Sequence, residues 1–269
     1  MCHHLQLFLV IYTLFQRQKA ESGQREMFIE EYYNNVLGLI NRIYQTQYEK
    51  LREGGRCIAE VLKRDGLIHV FGCGHSHMLA EDLFYRAGGL VNINAIFDSS
   101  VMLHEGAAKS SKIERMHGIA QSLLDRYETQ PGDILLISSN SGINPYPIEM
   151  ALAGKNKGLK VIGITSSAYA SSASLHNSGK HLSQVCDLFI DNCVGKGDAS
   201  VAVTENEIKA GPLSSFGTLF AAQEMIMEAC EQLKQSGISP KIYLSGNLPG
   251  TDEHNTAYIR QYKKRIKHL

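Results

Sequence analysis

Five short apolar runs punctuate the chain: Leu67–Gly72, Val91–Phe97, Asp133–Ser138, Lys160–Thr165 and Cys186–Asp191. Each is too short for an ordinary helix and is apolar on consecutive rather than alternate positions. That pattern predicts strands buried on both faces. Between most of them the apolar spacing changes to three and four, which predicts helices over Ser76–Ala87, Ile113–Tyr127 and Pro145–Lys157. Ahead of the first strand, Ile29, Tyr33, Val36, Ile40, Ile43 and Leu51 fall on one face of a long helix, Phe28–Leu51. Beyond the fifth strand comes an irregular stretch, Asn192–Leu213, then an apolar helix from Ser214 to about Leu233. A sixth strand-like run, Lys241–Ser245, and a helix over Thr256–Ile266 close the chain. Strands alternating with helices imply parallel crossovers and a sheet covered on both faces, an α/β fold. Nothing splits residues 27–269 into two cores, so they form one domain.

Residues 1–26 stand apart. Leu5–Phe15 is apolar but too short to span a bilayer, no Lys or Arg precedes it, and no small-x-small cleavage site follows. The segment reads as an unstructured extension or a mis-assigned start, and a chain begun at Met27 is expected to fold unchanged. The 27 Lys and Arg balance 27 Asp and Glu. That balance argues against nucleic acid as the main partner, since phosphate-backbone binding needs a basic excess or face. The run RQYKKRIKH near the end reads as a solvated helix face. Six scattered cysteines without a Cys-x-x-Cys pair fit a reduced, cytoplasmic protein.

Two of the predicted strands end in the same way. The first runs into Gly72, Cys73, Gly74, His75, Ser76 and His77; the third runs into Ser139, Asn140, Ser141, Gly142, Ile143 and Asn144. Ligands of open parallel sheets sit beyond the carboxyl ends of strands. A helix N-terminus there offers unpaired amides and a positive dipole end, and serine hydroxyls donate to an anion without adding charge. Such turns also occur as plain caps, but two of them in one α/β unit point to a phosphate cradle. A dinucleotide reading uses Gly72, Gly74 and Asp98, yet His77 occupies the third glycine position, where close helix–strand packing needs no side chain. His75-x-His77 lacks a third metal ligand, and no motif asks for a cofactor. Cys73 is read as a filler of the turn rather than a nucleophile.

The segment GDILLISSNSGINPYPIEMALAGKNKGLKVIGITS, residues 132–166, resembles the signature of the sugar isomerase (SIS) domain, and GCGHS resembles that family's first phosphate loop. The likeness extends over most of residues 65–235. It implies a three-layer αβα sandwich around a five-stranded parallel sheet, flavodoxin- or Rossmann-like. It also implies a phosphorylated sugar as ligand, no membrane partner, and assembly as a homodimer or homotetramer. Carried over by position, Ser76, Ser139 and Ser141 contact phosphate, with Asn144 where the family usually has Thr. Thr165 and Ser166 line the sugar pocket. Gly74, His75, His77, Asn140 and Gly142 complete the two loops, the histidines facing sugar hydroxyls or phosphate.

Catalysis is less directly implied. Related phosphoheptose isomerases carry a Glu late in the helix after the first loop and a His in the late apolar helix; Arg86 and Ile226 occupy those positions here. The remaining candidates for moving a proton are Glu81, Glu224 and His104. Two functions follow from the sequence: a sugar-phosphate isomerase or related enzyme acting on an aldose, ketose or amino-sugar phosphate, or a non-catalytic phosphosugar-binding regulatory module.

Overall fold

The computed structural model describes residues 27–269; the leader expected over residues 1–26 lies outside the described residues. All five apolar runs contain strands: β1 (Ile68–Gly72), β2 (Ile93–Ala95), β3 (Ile134–Ser138), β4 (Lys160–Thr165) and β5 (Leu188–Asp191). They form one sheet in the order β2-β1-β3-β4-β5, every pair parallel. Alternate residues serve different cores. Ile68, Val70, Ile134, Leu136, Ile162, Ile164, Leu188 and Ile190 enter one cluster; Phe71, Leu135, Ile137 and Val161 enter the other. With side chains alternating across the pleat, a strand covered on both faces is apolar at most positions, which is why these runs stand out in the sequence.

The first core is closed by α1 (Phe28–Lys63), α2 (Met78–Leu83) and a late helix, Ser214–Gln235. After α3 (Ala107–Ile113), the second core is closed by α4 (Ala120–Leu124), α5 (Pro145–Asn156) and α6 (Leu182–Val185). The result is the expected three-layer αβα sandwich. The late helix is α7, and α8 (Thr251–Tyr262) follows it. Among the described residues no helix is long and apolar enough to cross a membrane.

Five expectations need correction. The first helix continues past Leu51 to Lys63, about 54 Å in all at 1.5 Å per residue. Gly54 and Gly55, in the added turns, lie directly against α7. A Cβ on Gly54 would lie 2.3 Å from the Met225 sulfur, and one on Gly55 would lie 2.5 Å from Glu228. The expected face of that helix was also partly misread, since Ile29 and Tyr33 are exposed while Leu39, Gln47 and Leu51 are buried. The helix expected over Ile113–Tyr127 is shorter and starts later: α3 ends at Ile113, the link after it turns at Gly118, whose φ is 83°, and α4 covers only Ala120–Leu124. The run Lys241–Ser245 is no sixth strand: it makes one antiparallel bridge, Leu90 to Ile242, beside the sheet. The stretch expected to be irregular holds a small antiparallel hairpin, β6 (Ala199–Ala202) with β7 (Lys209–Pro212).

The basic run is not wholly solvated either. Arg265 reaches Asp133 at 3.0 Å, and Tyr262 and Ile266 are buried against Leu67 and Val91.

Candidate functional site

Gly72 and Ser138 are partners in register at the carboxyl ends of β1 and β3, so the two suspect turns lie side by side. The helices that leave them go to opposite faces: α2 packs on the first core and α5 on the second. Crossovers that diverge between neighbouring strands open a crevice at the sheet edge, the usual ligand position in open α/β folds. A small cleft lies here, lined by His75, Ser76 and Ser138 from the turns and by Ser214, Ser215 and Thr218 from the start of α7.

The first turn depends on Gly72. The residues from Gly74 to His77 form a single tight turn that folds back on the strand end. A Cβ on Gly72 would sit 2.3 Å from the Ser76 carbonyl oxygen, which is backbone and cannot swing aside. His77 is buried and anchored at both ring nitrogens, to the Gly74 carbonyl and to Glu81 Oε1 at 3.2 Å. It holds the turn in shape, while His75 is exposed at the cleft. His104 stacks edge-on against His77 with centroids 5.7 Å apart. Glu81, His77 and His104 therefore form one contiguous group beside the cleft.

The second turn is knitted from within. Ser139 is buried, and its Oγ accepts the Gly142 amide at 3.3 Å. Gly142 has a φ of 64°, and a Cβ there would meet Thr165 Oγ1 at 2.5 Å. Thr165 donates its hydroxyl to the Asn140 carbonyl at 3.2 Å, and Ser166 donates to the Val194 carbonyl. Asn144 does not cap α5; its amide donates to Glu114 Oε1 at 2.5 Å. Ser141 and Ser76 are half-buried, and neither hydroxyl is committed to another described residue. Those two side chains are free to meet a ligand, while Ser139, Asn144, Thr165 and Ser166 set the shape of the loop they stand on.

Several contributors were invisible in the sequence. Buried Asn192 donates to Asn140 Oδ1 at 2.9 Å and to Thr218 Oγ1 at 3.4 Å, tying the second turn to α7. Asp198 accepts the Ser214 amide and hydroxyl, each at 2.7 Å, so the α7 N-terminus already faces a carboxylate. Glu114 lies beneath Asn144, and burial pushes its carboxyl up despite that hydrogen bond.

Of the proton-transfer candidates, Glu81 and His104 are beside the cleft through His77. Glu224 sits six residues beyond Thr218, about 9 Å further along α7 and on another face at 100° per residue. Partial burial pushes its carboxyl up. Cys73 is inert as a nucleophile. Burial drives its thiol well up, and the Glu114 and Asp98 carboxylates push the same way. Asp98 itself accepts the Tyr146 hydroxyl at 2.7 Å and the Ser100 amide at 3.0 Å, so it is not free for a ribose.

A family model described as the SIS domain matches residues 31–166. A UPF0309 protein of Caldanaerobacter subterraneus subsp. tengcongensis is 44% identical over 248 residues, 91% of this chain and 99% of that protein. A UPF0309 protein of Halalkalibacterium halodurans is 41% identical, covering 88% of this chain and 96% of its own. Among solved structures, the phosphoheptose isomerase GmhA of Neisseria gonorrhoeae aligns with a TM-score of 0.49 at 14% identity, over 80% of this chain and 98% of that one. The NanR protein of Vibrio vulnificus complexed with ManNAc-6P aligns with a TM-score of 0.49 at 13% identity, over 93% and 74% respectively.

Proposed function

The chain belongs to the SIS domain family, and from that premise we propose that the crevice between β1 and β3 binds a phosphorylated sugar. One observation carries the reading: Ser76 and Ser141, uncharged and uncommitted, stand on adjacent strand-end turns at the point where the crossovers diverge. The phosphate lies against these two hydroxyls. The sugar extends toward Ser215 and Thr218. No cofactor or metal has a role in this reading.

We further propose that the protein is a sugar-phosphate isomerase or a related enzyme. Moving a proton between neighbouring carbons needs a titratable group at the cleft; His75 lines it, and the His104–His77–Glu81 group adjoins it. One observation favours the second reading, a binding module without chemistry: no carboxylate of the described residues lines the cleft. Incubation with a panel of sugar phosphates in deuterium oxide separates the two. The expected result is deuterium at the carbon beside the carbonyl. Saturable binding with no exchange for any member of the panel selects the module.

The cleft lies at an open sheet edge and is too small to enclose a sugar by itself, which suggests that a second copy helps to enclose it. Phe28, Ile29 and Tyr33 on α1, and Phe216 on α7, are exposed, with Tyr32 edge-on to Phe216 at 6.4 Å. We propose that this apolar strip joins two chains in a homodimer or homotetramer. Sedimentation at micromolar concentration is expected to show the assembly, and a clean monomer contradicts it.

A further inference from the structure

His117, Glu149 and His176 are far apart in the chain and meet in space. His117 lies on the link between α3 and α4, Glu149 one turn into α5, and His176 on the loop between β4 and α6. One ligand atom from each lies within 4.8 Å of the others. His117 Nδ1 is 2.9 Å from Glu149 Oε1, and His176 Nε2 is 3.9 Å from the same oxygen.

A hydrogen bond accounts for the first contact but not for the second, because 3.9 Å is beyond hydrogen-bonding distance. Yet the His176 side chain is only 11% exposed and turns Nε2 toward the carboxylate. Two imidazole nitrogens and one carboxylate oxygen, brought in by three separate segments, are the ligand set of a zinc-class ion with an open fourth position. Ligand atoms of a tetrahedral site with bonds of roughly 2.1 Å stand about 3.4 Å apart, so small side-chain adjustments close the set.

The outer contacts suit the same role. Glu149 Oε2 accepts the Gly118 amide at 2.7 Å, which fixes the carboxylate. His176 Nδ1 lies 2.7 Å from Ser178 Oγ and 3.2 Å from the Ser178 amide. The Ser178 amide donates to Nδ1 and so orients the ring; an ion at Nε2 requires the ring proton to pass to Nδ1, where Ser178 Oγ at 2.7 Å is the acceptor.

We propose that His117, Glu149 and His176 bind a divalent transition-metal ion of the zinc class, which fastens the β4–α6 loop to the head of α5. The amide of Leu175, next to His176, donates to the Ile143 carbonyl at 2.9 Å, and the Leu182 amide donates to the Gly142 carbonyl at 2.8 Å. An ion here therefore steadies the β3–α5 turn from outside. The site stands whether or not that turn binds a sugar.

The test uses the full chain, stripped with a chelator and titrated with Zn²⁺ by calorimetry and with Co²⁺ by visible absorption. Because Cys2, His3, His4, His75 and His77 also carry metal-binding groups, the reading is the difference between wild type and variants. The H117A/H176A double variant is expected to lose one equivalent of bound ion and the thermal shift that Zn²⁺ gives the wild type. Glu149→Gln should weaken that equivalent by more than about 100-fold, since losing even an outer-shell partner costs about 10–100-fold. If the alanine pair fails to fold, H117Q/H176Q replaces it with the same expected loss. Unchanged stoichiometry and affinity in the folded variants overturn the proposal, as does a wild type that binds neither ion.

Discussion

Replacing Ser139 and Ser141 together with alanine is expected to weaken sugar-phosphate binding by at least about 10-fold to 100-fold, since the hydrogen bond from Ser141 to a charged group contributes roughly 1.5–3 kcal/mol and the loss of Ser139 relaxes the turn as well. The two residues act differently. Ser141 loses a donor aimed at the ligand, whereas Ser139 loses the acceptor that holds the Gly142 amide and with it the curvature of the turn. The single variants separate these parts. Ser141→Ala should cost affinity with no change in stability, and Ser139→Ala should cost both. Calorimetry with folding checked by circular dichroism measures the effect. Unchanged affinity in the folded double variant means the phosphate lies elsewhere.

Asp133→Ala is expected to be the most damaging substitution for stability, by about 3–5 kcal/mol, the usual cost of breaking a buried charged network. Asp133 is 3% exposed. Its carboxylate accepts from the Leu67 amide at 2.9 Å, the Gln130 amide at 3.0 Å, His69 at 3.2 Å and Arg265 at 3.0 Å. Removing it strands all four donors at the amino ends of β1 and β3 and releases the segment after α8 from the sheet. The melting temperature should fall by roughly 10 °C. The pH dependence follows from the same contacts. Burial pushes the Asp133 carboxyl up, but the hydrogen bonds from His69 and the Leu67 and Gln130 amides outweigh it and hold it below its ordinary value. A carboxyl depressed in the folded state stabilises fully above its ordinary pKa of about 3.9, and that stability is lost as pH falls through the folded value. The wild type should therefore lose stability below about pH 4 more steeply than the variant does. Equal acid sensitivity of the two in thermal melts contradicts this role.

The sheet was legible because its chemistry is local. A parallel strand covered by helices on both sides is apolar at most positions, so LIHVFG and DILLIS identify themselves. The two turns were legible for a related reason: glycine and serine at a strand end leave few other uses. Helix boundaries were not local. The turns of α1 that carry Gly54 and Gly55 make sense only with α7 laid against them, and the turn at Gly118 only with Glu149 accepting its amide. Half of the cleft comes from the start of α7, and Asn192, which ties α7 to the second turn, lies 52 residues from its partner Asn140. The roles of Thr165, Ser166 and Asn144 as builders of the loop likewise appear only when their carbonyl and carboxylate partners are placed.

The central claim is that the β1 and β3 turns hold a phosphate. Calorimetric titration of matched pairs, each sugar phosphate against the same sugar without its phosphate, tests it most directly. At least one phosphorylated member is expected to bind about 100-fold or more tighter than its unphosphorylated partner, the equivalent of two charge-assisted hydrogen bonds. That preference should fall at least about 10-fold in the folded Ser139/Ser141 double alanine variant, where Ser76 remains. Equal affinity within every pair, or an unchanged phosphate preference in the variant, contradicts the account.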